Sequence, residues 1–351
     1  MMLTIALLTK NSEDTVRFAL RSVYRQKIPD NVTFELIVVD GYFKDNTLKI
    51  VAEEIQKLKE RFLSQFTRYV VLQEGVGVGY ARNLALKEAQ GDWILWIDSD
   101  NVLAQDYVLK AVKEIEKINH ENIAVLYPQR AISVLKKRNF ASRLVASYGK
   151  VLACQSNSKL FAIAKKLLSE RLEDPIQRMF PYTAMQGTLC NIEALRKIGG
   201  FNPYLVAAED IDVFLKLISN GYKMRPFNST LYYFTRNSLR AWFRQAVTWG
   251  YGKIVMYLFG TYDNKCSTSR MIQTQYTLNT SKIIEFFVSY IINSVTILMT
   301  KVQACAPLEA FFSPLLYFYR RVGYYVGHLH GLRQERFLRK LLCRGVNNEG
   351  D

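Results

Sequence analysis

Hydrophobic and polar positions follow two alternating patterns over residues 1–130. Short runs rich in β-branched and aromatic residues predict five strands, at Leu3–Leu8, Phe34–Val39, Tyr69–Leu72, Trp93–Ile97 and Ile123–Tyr127. Two stretches between them carry apolar residues at helical spacing, namely Val16, Ala19, Leu20 and Val23, then Val51, Ile55, Leu58 and Phe62. Asn11 or Ser12 is placed to cap the first helix. This alternation predicts an α/β domain with a mostly parallel central sheet covered by helices on both faces.

The pattern changes at residues 131–180, which are basic and only weakly periodic. This segment is either a solvated helical excursion or a lid over an anionic substrate. A clear helical pattern returns further on and ends at Asn220-Gly221, with an apolar stripe made of Ile211, Phe214, Leu215 and Ile218. A helix is therefore predicted there, with the Asn-Gly pair as its stop signal.

The C-terminal part has a different composition. Phe286–Thr300 is a run of 15 residues without a charge, and Phe311–Tyr319 is a second apolar, aromatic-rich run. A spanning helix needs about 20 apolar residues, so the first run is short for one. Basic residues follow these runs: Arg320, Arg321, Arg333, Arg336, Arg339, Lys340 and Arg344. The pattern favours a helical region lying in the interface of an anionic membrane; the alternative is a buried core helix followed by a solvated basic tail.

Charge and cysteine content narrow the classes of protein. The chain has 351 residues and a formal net charge of +16, which indicates an anionic partner such as nucleic acid, a membrane surface or a phosphorylated substrate. The five cysteines are far apart and form no Cys-x-x-Cys pair, so neither a zinc site nor a disulfide framework is expected. The N-terminus opens in an apolar run that lacks the basic leader of a signal peptide, and a cytoplasmic setting is expected.

The strongest chemical signal is the sequence from Trp93 to Asp100, in which an apolar strand ends in two carboxylates one residue apart. Alternate residues of an extended chain point the same way, so Asp98 and Asp100 can converge on one point. Two carboxylates plus substrate phosphates suit Mg²⁺ or Mn²⁺. Taken alone, the pair could equally be an ordinary turn after a strand.

Polar residues also follow the other predicted strands. In parallel sheets, ligands bind at the carboxyl ends of the strands, so these residues are expected to meet in one cleft. An Asp after the second strand suits a base or ribose hydroxyl, and an Arg suits a diphosphate. The glycines before Arg82 do not have the spacing of a dinucleotide fold. The candidate ligand-binding residues in this cleft are Thr9, Lys10, Asn11, Asp40, Gly41, Arg82, Asp98 and Asp100.

The ordered motifs T-K-N-S-E-D-T, V-V-D-G, G-x-G-x-A-R-N, D-S-D and E-D-I-D resemble family 2 glycosyltransferases with the GT-A fold. The resemblance covers about residues 3–255 and implies donor binding by Thr9, Asp40, Arg82 and Asp98, with Asp100 as the direct metal ligand. It divides the chain into a catalytic domain, residues 1–255, and a helical membrane-associated region, residues 256–351. Within the domain, residues 1–130 would bind the donor and residues 131–255 the acceptor.

Two features depart from the family pattern. The usual D-G-S-x-D turn reads Asp40-Gly-Tyr-Phe-Lys-Asp45. Many members carry a late His that completes the metal site, whereas the matching stretch here is Leu231-Tyr-Tyr-Phe-Thr-Arg236. Water or donor phosphates are expected in that coordination position.

The remaining predicted site residues lie in the second half of the domain. Glu209 and Asp210 open the predicted helix, where carboxylates ordinarily stabilise a helix N-terminus. The family resemblance instead implies a general base, Asp210, with Glu209 as the reserve candidate. Gln186 and Gly187 fall in a turn-rich acceptor region. Trp249, in a Q-x-x-T-W motif similar to the Q-x-x-R-W of processive synthases, either stacks on an acceptor sugar or is a buried core residue.

Together, these features predict an inverting, metal-dependent hexosyltransferase that uses a UDP- or GDP-linked sugar. The acceptor is expected to be a glycan or a polyprenyl-phosphate-linked glycan, and the protein is expected at the cytoplasmic face of the membrane, peripheral or monotopic. Two other classes are open: a nucleotidyltransferase, which would release pyrophosphate, and a basic nucleic-acid-binding protein. Carboxylates at a phosphate-facing edge would repel a nucleic-acid backbone, so no nucleic-acid partner is expected.

Overall fold

The computed structural model describes residues 1–41, 45–118, 121–134, 184–236, 238–259, 315–316 and 318–334. The chain forms two compact units. The first consists of Met1–Val134 and Tyr182–Phe234, and the second of Leu135–Pro181 and Thr235–Asp351. This grouping differs from the predicted boundary after residue 255, which stays a prediction.

One sheet organises the first unit. Eight strands are found among the described residues: β1 (Met2–Thr9), β2 (Thr33–Asp40), β3 (Phe66–Gln73), β4 (Trp93–Asp98), β5 (Asn101–Leu103), β6 (Ile123–Val134), β7 (Leu189–Asn191) and β8 (Lys223–Phe234). Their order across the sheet is β3-β2-β1-β4-β7-β6-β8-β5. The five strands predicted from the sequence are β1, β2, β3, β4 and β6.

The sheet is mixed. Strands β1 to β4 are parallel to one another, as is the β6–β8 pair, whereas β7 and β5 run antiparallel to their neighbours. The prediction of a sheet apolar on both faces holds for the central strands β1 and β2. It is wrong for β3, whose residues alternate between partly buried and exposed because β3 is an edge strand.

In the described part of the first unit, six helices connect these strands: α1 (Val16–Tyr24), α2 (Thr47–Arg61), α3 (Val78–Glu88), α4 (Tyr107–Lys117), α5 (Ile192–Lys197) and α6 (Glu209–Ser219). Both predicted apolar stripes of α1 and α2 face the core. The predicted cap of α1 is wrong. Thr15 is the N-cap, and the carbonyl of Ser12 accepts the N–H groups of Thr15 and Val16. Helix α6 ends as predicted, since Gly221 has a φ of +80° that disfavours other residues.

In the second unit, α7 (Leu239–Phe259) packs against a helix at residues 318–334. Glycines make the close approach possible. A Cβ at Gly331 would come within 2.8 Å of Ile254, and one at Gly323 within 3.0 Å of the Phe243 ring. Within the described part of the chain, no helix combines the length and hydrophobicity needed to cross a bilayer. The apolar run Phe286–Thr300 and the basic segment 135–180 lie outside the described residues.

Candidate active site

The carboxyl ends of β1 and β2 form one side of the site. In the parallel register Thr9 lies beside Asp40, and the Thr9 hydroxyl donates a hydrogen bond of 2.7 Å to the Asp40 carboxylate. Both side chains are buried. The aliphatic part of Lys10 lies against Gly41, where a Cβ would approach it to 3.1 Å. Asn11 has a φ of +50°, which is uncommon outside glycine.

Asp98 and Asp100 occupy a tight turn between β4 and β5. The turn is closed by Asn101, whose Oδ1 accepts the Asp98 backbone N–H at 3.0 Å and whose Nδ2 donates to the Asp100 carboxylate at 2.9 Å. Because β1 pairs with β4 in the register Leu8↔Asp98, this turn follows directly beside the end of β1. The structure therefore places the Asp98–Asp100 turn at the same sheet edge as Thr9 and Asp40.

A chain of hydroxyl contacts links the turn to the loop after β1. Ser99, between the two aspartates, lies 2.6 Å from Ser12 through their Oγ atoms. The Ser12 N–H in turn donates to Thr47 Oγ1 at 2.9 Å, and the Thr47 hydroxyl donates to Asp45 at 2.9 Å. Asp45, the last residue of the atypical D-G-Y-F-K-D turn, thus anchors the start of α2. These bonds hold the loops after β1, β2 and β4 together.

Arg82 connects the two acidic clusters. It extends from α3 with only 3% of its surface exposed, and Nε donates to Glu209 Oε1 at 3.3 Å. Its Nη2 lies 3.6 Å from Asp98 Oδ1. The guanidinium also lies 5.2 Å from the Trp96 ring centroid. Among the described residues Nη1 has no hydrogen-bond partner, which leaves one buried donor of the guanidinium unsatisfied.

Glu209 and Asp210 open α6, as predicted. Burial, together with the neighbouring Glu209 carboxylate, raises the pKa of Asp210 to about 8. Burial also raises the pKa of Glu209, and the Arg82 guanidinium opposes that rise. Asp212, two residues after Asp210, is instead paired with Lys216 at 2.9 Å. Asp210 thus has a pKa suited to exchanging protons near neutral pH.

The glycine-containing stretch before Arg82 allows α3 to pack closely against the loop before α6. Gly79 on α3 faces the backbone of the loop before α6, since a Cβ there would lie 3.1 Å from the Leu205 carbonyl oxygen and closer still to that of Asn202. Asn83 clamps the same loop, with Nδ2 donating to the Phe201 carbonyl at 2.7 Å and Oδ1 accepting its N–H at 2.8 Å. Helix α3 therefore carries Arg82 and also fixes the loop that leads to Glu209.

Gln186 and Gly187 lie beside the metal-binding candidates. Gly187 has a φ of +73° and donates its N–H to the Trp96 carbonyl at 2.7 Å. Gln186 Oε1 accepts a hydrogen bond of 3.2 Å from Asn101. These contacts bring the predicted acceptor segment to the Asp98–Asp100 turn.

Trp249 lies in the second unit, on α7. The buried-core alternative for this residue is wrong, because Trp249 is 45% exposed; Trp242, also on α7, is the buried tryptophan at 3%. The Arg320 guanidinium lies 4.6 Å from the Trp249 ring centroid and 4.8 Å from that of Trp242, which is cation–π geometry. The ring is exposed, and its stacking on an acceptor sugar stays a prediction.

The residues at the turn fit a divalent cation of the Mg²⁺ or Mn²⁺ type. Asp98 and Asp100 offer hard oxygen ligands, and Asp98 is partly exposed. No group of three or more potential His, Cys, Asp or Glu ligands occurs within the described residues. The stretch matching the late His is Leu231–Arg236. Its first four residues lie in β8 beside the turn, and the Phe234 N–H donates to the Asp100 carbonyl at 2.9 Å. A cation held here would need water or ligand phosphates as further partners.

Two asparagines were missed by the sequence reasoning. Asn101 follows the D-S-D motif directly, and its contact with the aspartates could have been anticipated because Asn readily bonds nearby backbone in turns. Asn83 ends the G-x-G-x-A-R-N motif, but nothing in the motif indicates its partner Phe201, which is 118 residues away in sequence.

Comparison with known proteins identifies the class. The model for Glycosyl transferase family group 2 matches residues 93–329, more than half of the chain, and the model for Glycosyl transferase family 2 matches residues 4–160. The chain belongs to the family 2 glycosyltransferases. A solved mannosyltransferase from Pyrobaculum calidifontis, in complex with GDP-Man and Mn²⁺, shares the fold with a TM-score of 0.57 at 17% identity. That alignment covers 93% of this chain and 86% of the mannosyltransferase, so the fold is of the GT-A type expected.

Curated relatives match over shorter segments. The glycosyltransferase YfnE of Bacillus subtilis is 35% identical over 115 residues, which is 33% of this chain and 26% of YfnE. The poly(ribitol-phosphate) β-N-acetylglucosaminyltransferase TarS of Staphylococcus aureus is 30% identical over 126 residues, 36% of this chain and 21% of TarS. The matched segments thus span about a quarter or less of these relatives.

Proposed function

We propose that this chain is an inverting glycosyltransferase that moves a sugar from a nucleoside-diphosphate donor to an acceptor hydroxyl. The observation that carries the proposal is the position of Arg82, which contacts Asp98 on the donor side and Glu209 at the start of α6. Contacts between residues far apart in sequence, next to a strand-end carboxylate pair and a carboxyl of raised pKa, support a single site. Family membership favours glycosyl transfer over nucleotidyl transfer or nucleic-acid binding.

The donor end of the site is assigned to the β1, β2 and β4 strand ends. The buried Thr9–Asp40 pair offers a fixed carboxylate to hydroxyl or N–H groups of the nucleoside. Nη1 of Arg82, which has no hydrogen-bond partner in the described part of the chain, is proposed to donate a charge-assisted hydrogen bond to the diphosphate. Asp98 and Asp100 would hold Mg²⁺ or Mn²⁺, whose charge offsets the negative charge that develops on the departing diphosphate.

Asp210 is the proposed general base. The acceptor oxygen forms a bond to the anomeric carbon while the bond from that carbon to the diphosphate oxygen breaks on the opposite face. The acceptor proton passes to the Asp210 carboxylate, and the anomeric configuration inverts. A base with a pKa of about 8 holds a proton more strongly than an ordinary carboxylate, which aids its transfer from a hydroxyl. Glu209 is the reserve candidate, but its hydrogen bond to Arg82 favours a positioning role.

The choice of donor and acceptor rests on the relatives and on charge. The mannosyltransferase of the same fold binds GDP-Man with Mn²⁺. TarS, by its name, acts on poly(ribitol phosphate), an anionic polymer. The net charge of +16 suits an anionic acceptor, and we propose a glycan or a polyprenyl-phosphate-linked glycan. The donor is proposed to be UDP- or GDP-linked.

Attachment to the cytoplasmic face of a membrane, peripheral or monotopic, is also proposed. Its support is the excess of positive charge and the basic residues that follow the apolar C-terminal runs. In the second unit, Leu315, Val326 and Leu329 are exposed apolar side chains at or near the 318–334 helix. Such a combination suits binding at the lipid interface.

A donor panel tests the proposed activity. UDP- and GDP-sugars are incubated with the full chain, an acceptor glycan and Mn²⁺ or Mg²⁺, and the products are scored by nucleoside-diphosphate release and by NMR of the new anomeric centre. Release of nucleoside diphosphate with an inverted linkage supports the proposal. A retained configuration contradicts the single-displacement mechanism, and release of pyrophosphate from nucleotide substrates points to a nucleotidyltransferase.

Vesicle flotation tests the membrane assignment separately. The full chain is mixed with vesicles of pure phosphatidylcholine or of phosphatidylcholine with 30% phosphatidylglycerol, at low and high salt. Flotation with the anionic vesicles that weakens in salt is expected. A chain that floats with neither composition contradicts the membrane assignment and leaves the donor-site proposal untouched.

A further inference from the structure

The turn that carries Asp98 and Asp100 is organised by a residue outside the predicted site. Asn101 is fully buried, and its amide makes three hydrogen bonds. Oδ1 accepts the Asp98 N–H at 3.0 Å, while Nδ2 donates to Asp100 Oδ1 at 2.9 Å and to Gln186 Oε1 at 3.2 Å. The side chain thus spans the two aspartates and reaches the predicted acceptor segment.

The orientation of this amide follows from its partners. A backbone N–H can only donate, so the oxygen of Asn101 must face Asp98. The NH₂ end then faces two acceptors, the Asp100 carboxylate and the Gln186 amide oxygen, and an asparagine amide has two N–H donors to offer. Both donors are therefore used, and no other natural side chain of this length supplies one acceptor and two donors in this geometry.

We propose that Asn101 is a positioning residue that fixes the Asp100 carboxylate for the cation–diphosphate group and ties it to Gln186. This inference rests on the proposed function, in which Asp100 contacts the cation. A buried, charge-assisted hydrogen bond limits the rotation of the carboxylate. Asn101 then acts on donor affinity through Asp100, without touching the donor itself.

The backbone of the turn has independent support. The Phe234 N–H donates to the Asp100 carbonyl at 2.9 Å, and Asn101 pairs with Tyr233 in the antiparallel β5–β8 ladder. Loss of the Asn101 side chain therefore leaves these main-chain bonds in place. The carboxylate of Asp100 would be released while the strand pairing persists.

The test compares Asn101→Ala with Asp100→Ala and with Asn191→Ala in the full chain. Asn191 is a matched control because its Oδ1 accepts the Ala194 N–H as the cap of α5, away from the aspartates. The Mn²⁺-dependent binding of UDP and of GDP is measured by calorimetry, with thermal melting and circular dichroism as checks on folding. Where a donor sugar turns over, kcat and the KM values for donor and Mn²⁺ are measured as well.

We expect Asn101→Ala to raise the Kd of the nucleotide with Mn²⁺ at least tenfold, while Asn191→Ala leaves it unchanged despite a lower melting temperature. The KM for Mn²⁺ should rise, and kcat at saturating Mn²⁺ and donor should stay within about threefold of wild type. If Asn101→Ala does not fold, Asn101→Asp takes its place, because it keeps the acceptor for the Asp98 N–H and loses both donated bonds.

The outcomes separate the two proposals. A folded Asn101 variant with wild-type Kd overturns the positioning role if Asp100→Ala loses binding in the same experiment. Wild-type binding by Asp100→Ala would instead show that Asp100 does not hold the cation, and would overturn that part of the proposed function. Equal loss in Asn101→Ala and Asn191→Ala would show a general effect of destabilisation and would also overturn the positioning role.

Discussion

Arg82 donates a hydrogen bond of 3.3 Å to Glu209, a residue 127 positions further along the chain. The same guanidinium lies 3.6 Å from Asp98 and is almost completely buried. Two carboxylates from different parts of the chain therefore share one cation, which lowers the electrostatic cost of placing them together. The contact joins the candidate donor end to the candidate base end of the site.

Removal of the Arg82 guanidinium should destabilise the fold. Arg82→Ala leaves the buried Glu209 carboxylate without its charge partner, and breaking a buried pair from one side costs on the order of 3 kcal/mol. Chemical denaturation should therefore show a clear loss of unfolding free energy. Arg17→Ala, which removes a partly exposed arginine paired with Glu53 and Glu54, serves as a control and should cost less. Equal losses in the two variants would contradict the buried-bridge interpretation.

Asp210→Asn should lose sugar transfer and keep the donor. Asn preserves the shape of the side chain, so the variant should fold and bind nucleotide as wild type does, while kcat falls by roughly two or more orders of magnitude. Glu209→Gln is the parallel variant and should retain more turnover. Collapse of kcat in Glu209→Gln with a near-normal Asp210→Asn would move the base to Glu209. Normal turnover in both would leave the cluster as a helix N-terminus without a catalytic role.

The raised pKa of Asp210 predicts a pH-dependent stability. Because its pKa is about 8 in the fold and near 3.8 in the unfolded chain, the folded state binds more protons between these values. Its contribution to stability is complete at low pH and is lost as pH rises towards 8, with a slope of at most about 1.4 kcal/mol per pH unit. Asp210→Asn should remove this loss, so its stability relative to wild type should improve from pH 5 to pH 8. If the difference in unfolding free energy between the two proteins is the same at pH 5 and at pH 8, the raised pKa of Asp210 is contradicted.

Asp100→Ala should abolish Mn²⁺-dependent binding of nucleoside diphosphate and leave the fold intact, because its side chain lies at a turn on the sheet edge. Thermal shift with and without UDP or GDP and Mn²⁺ measures both properties. Asp106→Ala is a matched control, since Asp106 pairs with Lys110 at 2.8 Å at the start of α4. A ligand-induced shift of wild-type size in Asp100→Ala would remove Asp100 from the metal site.

Gly79→Ala tests the packing of α3 against the loop before α6. Alanine ordinarily stabilises a helix by about 1 kcal/mol relative to glycine. At Gly79 the added Cβ would meet the Asn202 and Leu205 carbonyl oxygens, so we expect a lower melting temperature and weaker activity. Gly75→Ala provides the control, because a Cβ there meets nothing within 4 Å. An unchanged or raised melting temperature in Gly79→Ala would contradict the close approach.

The periodicity of the sequence was sufficient for the first half of the fold. Strands β1, β2 and β4 and helices α1 and α2 appear where the apolar runs and stripes predict them, because burial of both faces of a strand, or of one face of a helix, imposes a strong pattern. Strands β5, β7 and β8 were not predicted. The first two have three residues each, and β8 lacks a strict alternation; their pairing depends on neighbours distant in sequence.

The sequence by itself determined the class of chemistry at this site. Carboxylates at the end of an apolar strand, and polar residues after its neighbours, must meet at one edge of a parallel sheet, so the motifs and their order identified the family. Only the tertiary structure decided how these groups are held: Asn101 across the aspartates, Asn83 on the loop before α6, and Arg82 between Asp98 and Glu209. Each of these bonds joins groups through side-chain geometry or across more than a hundred residues of chain. Local hydrophobic pattern carries no information about such contacts, because they depend on the packing of whole elements against one another.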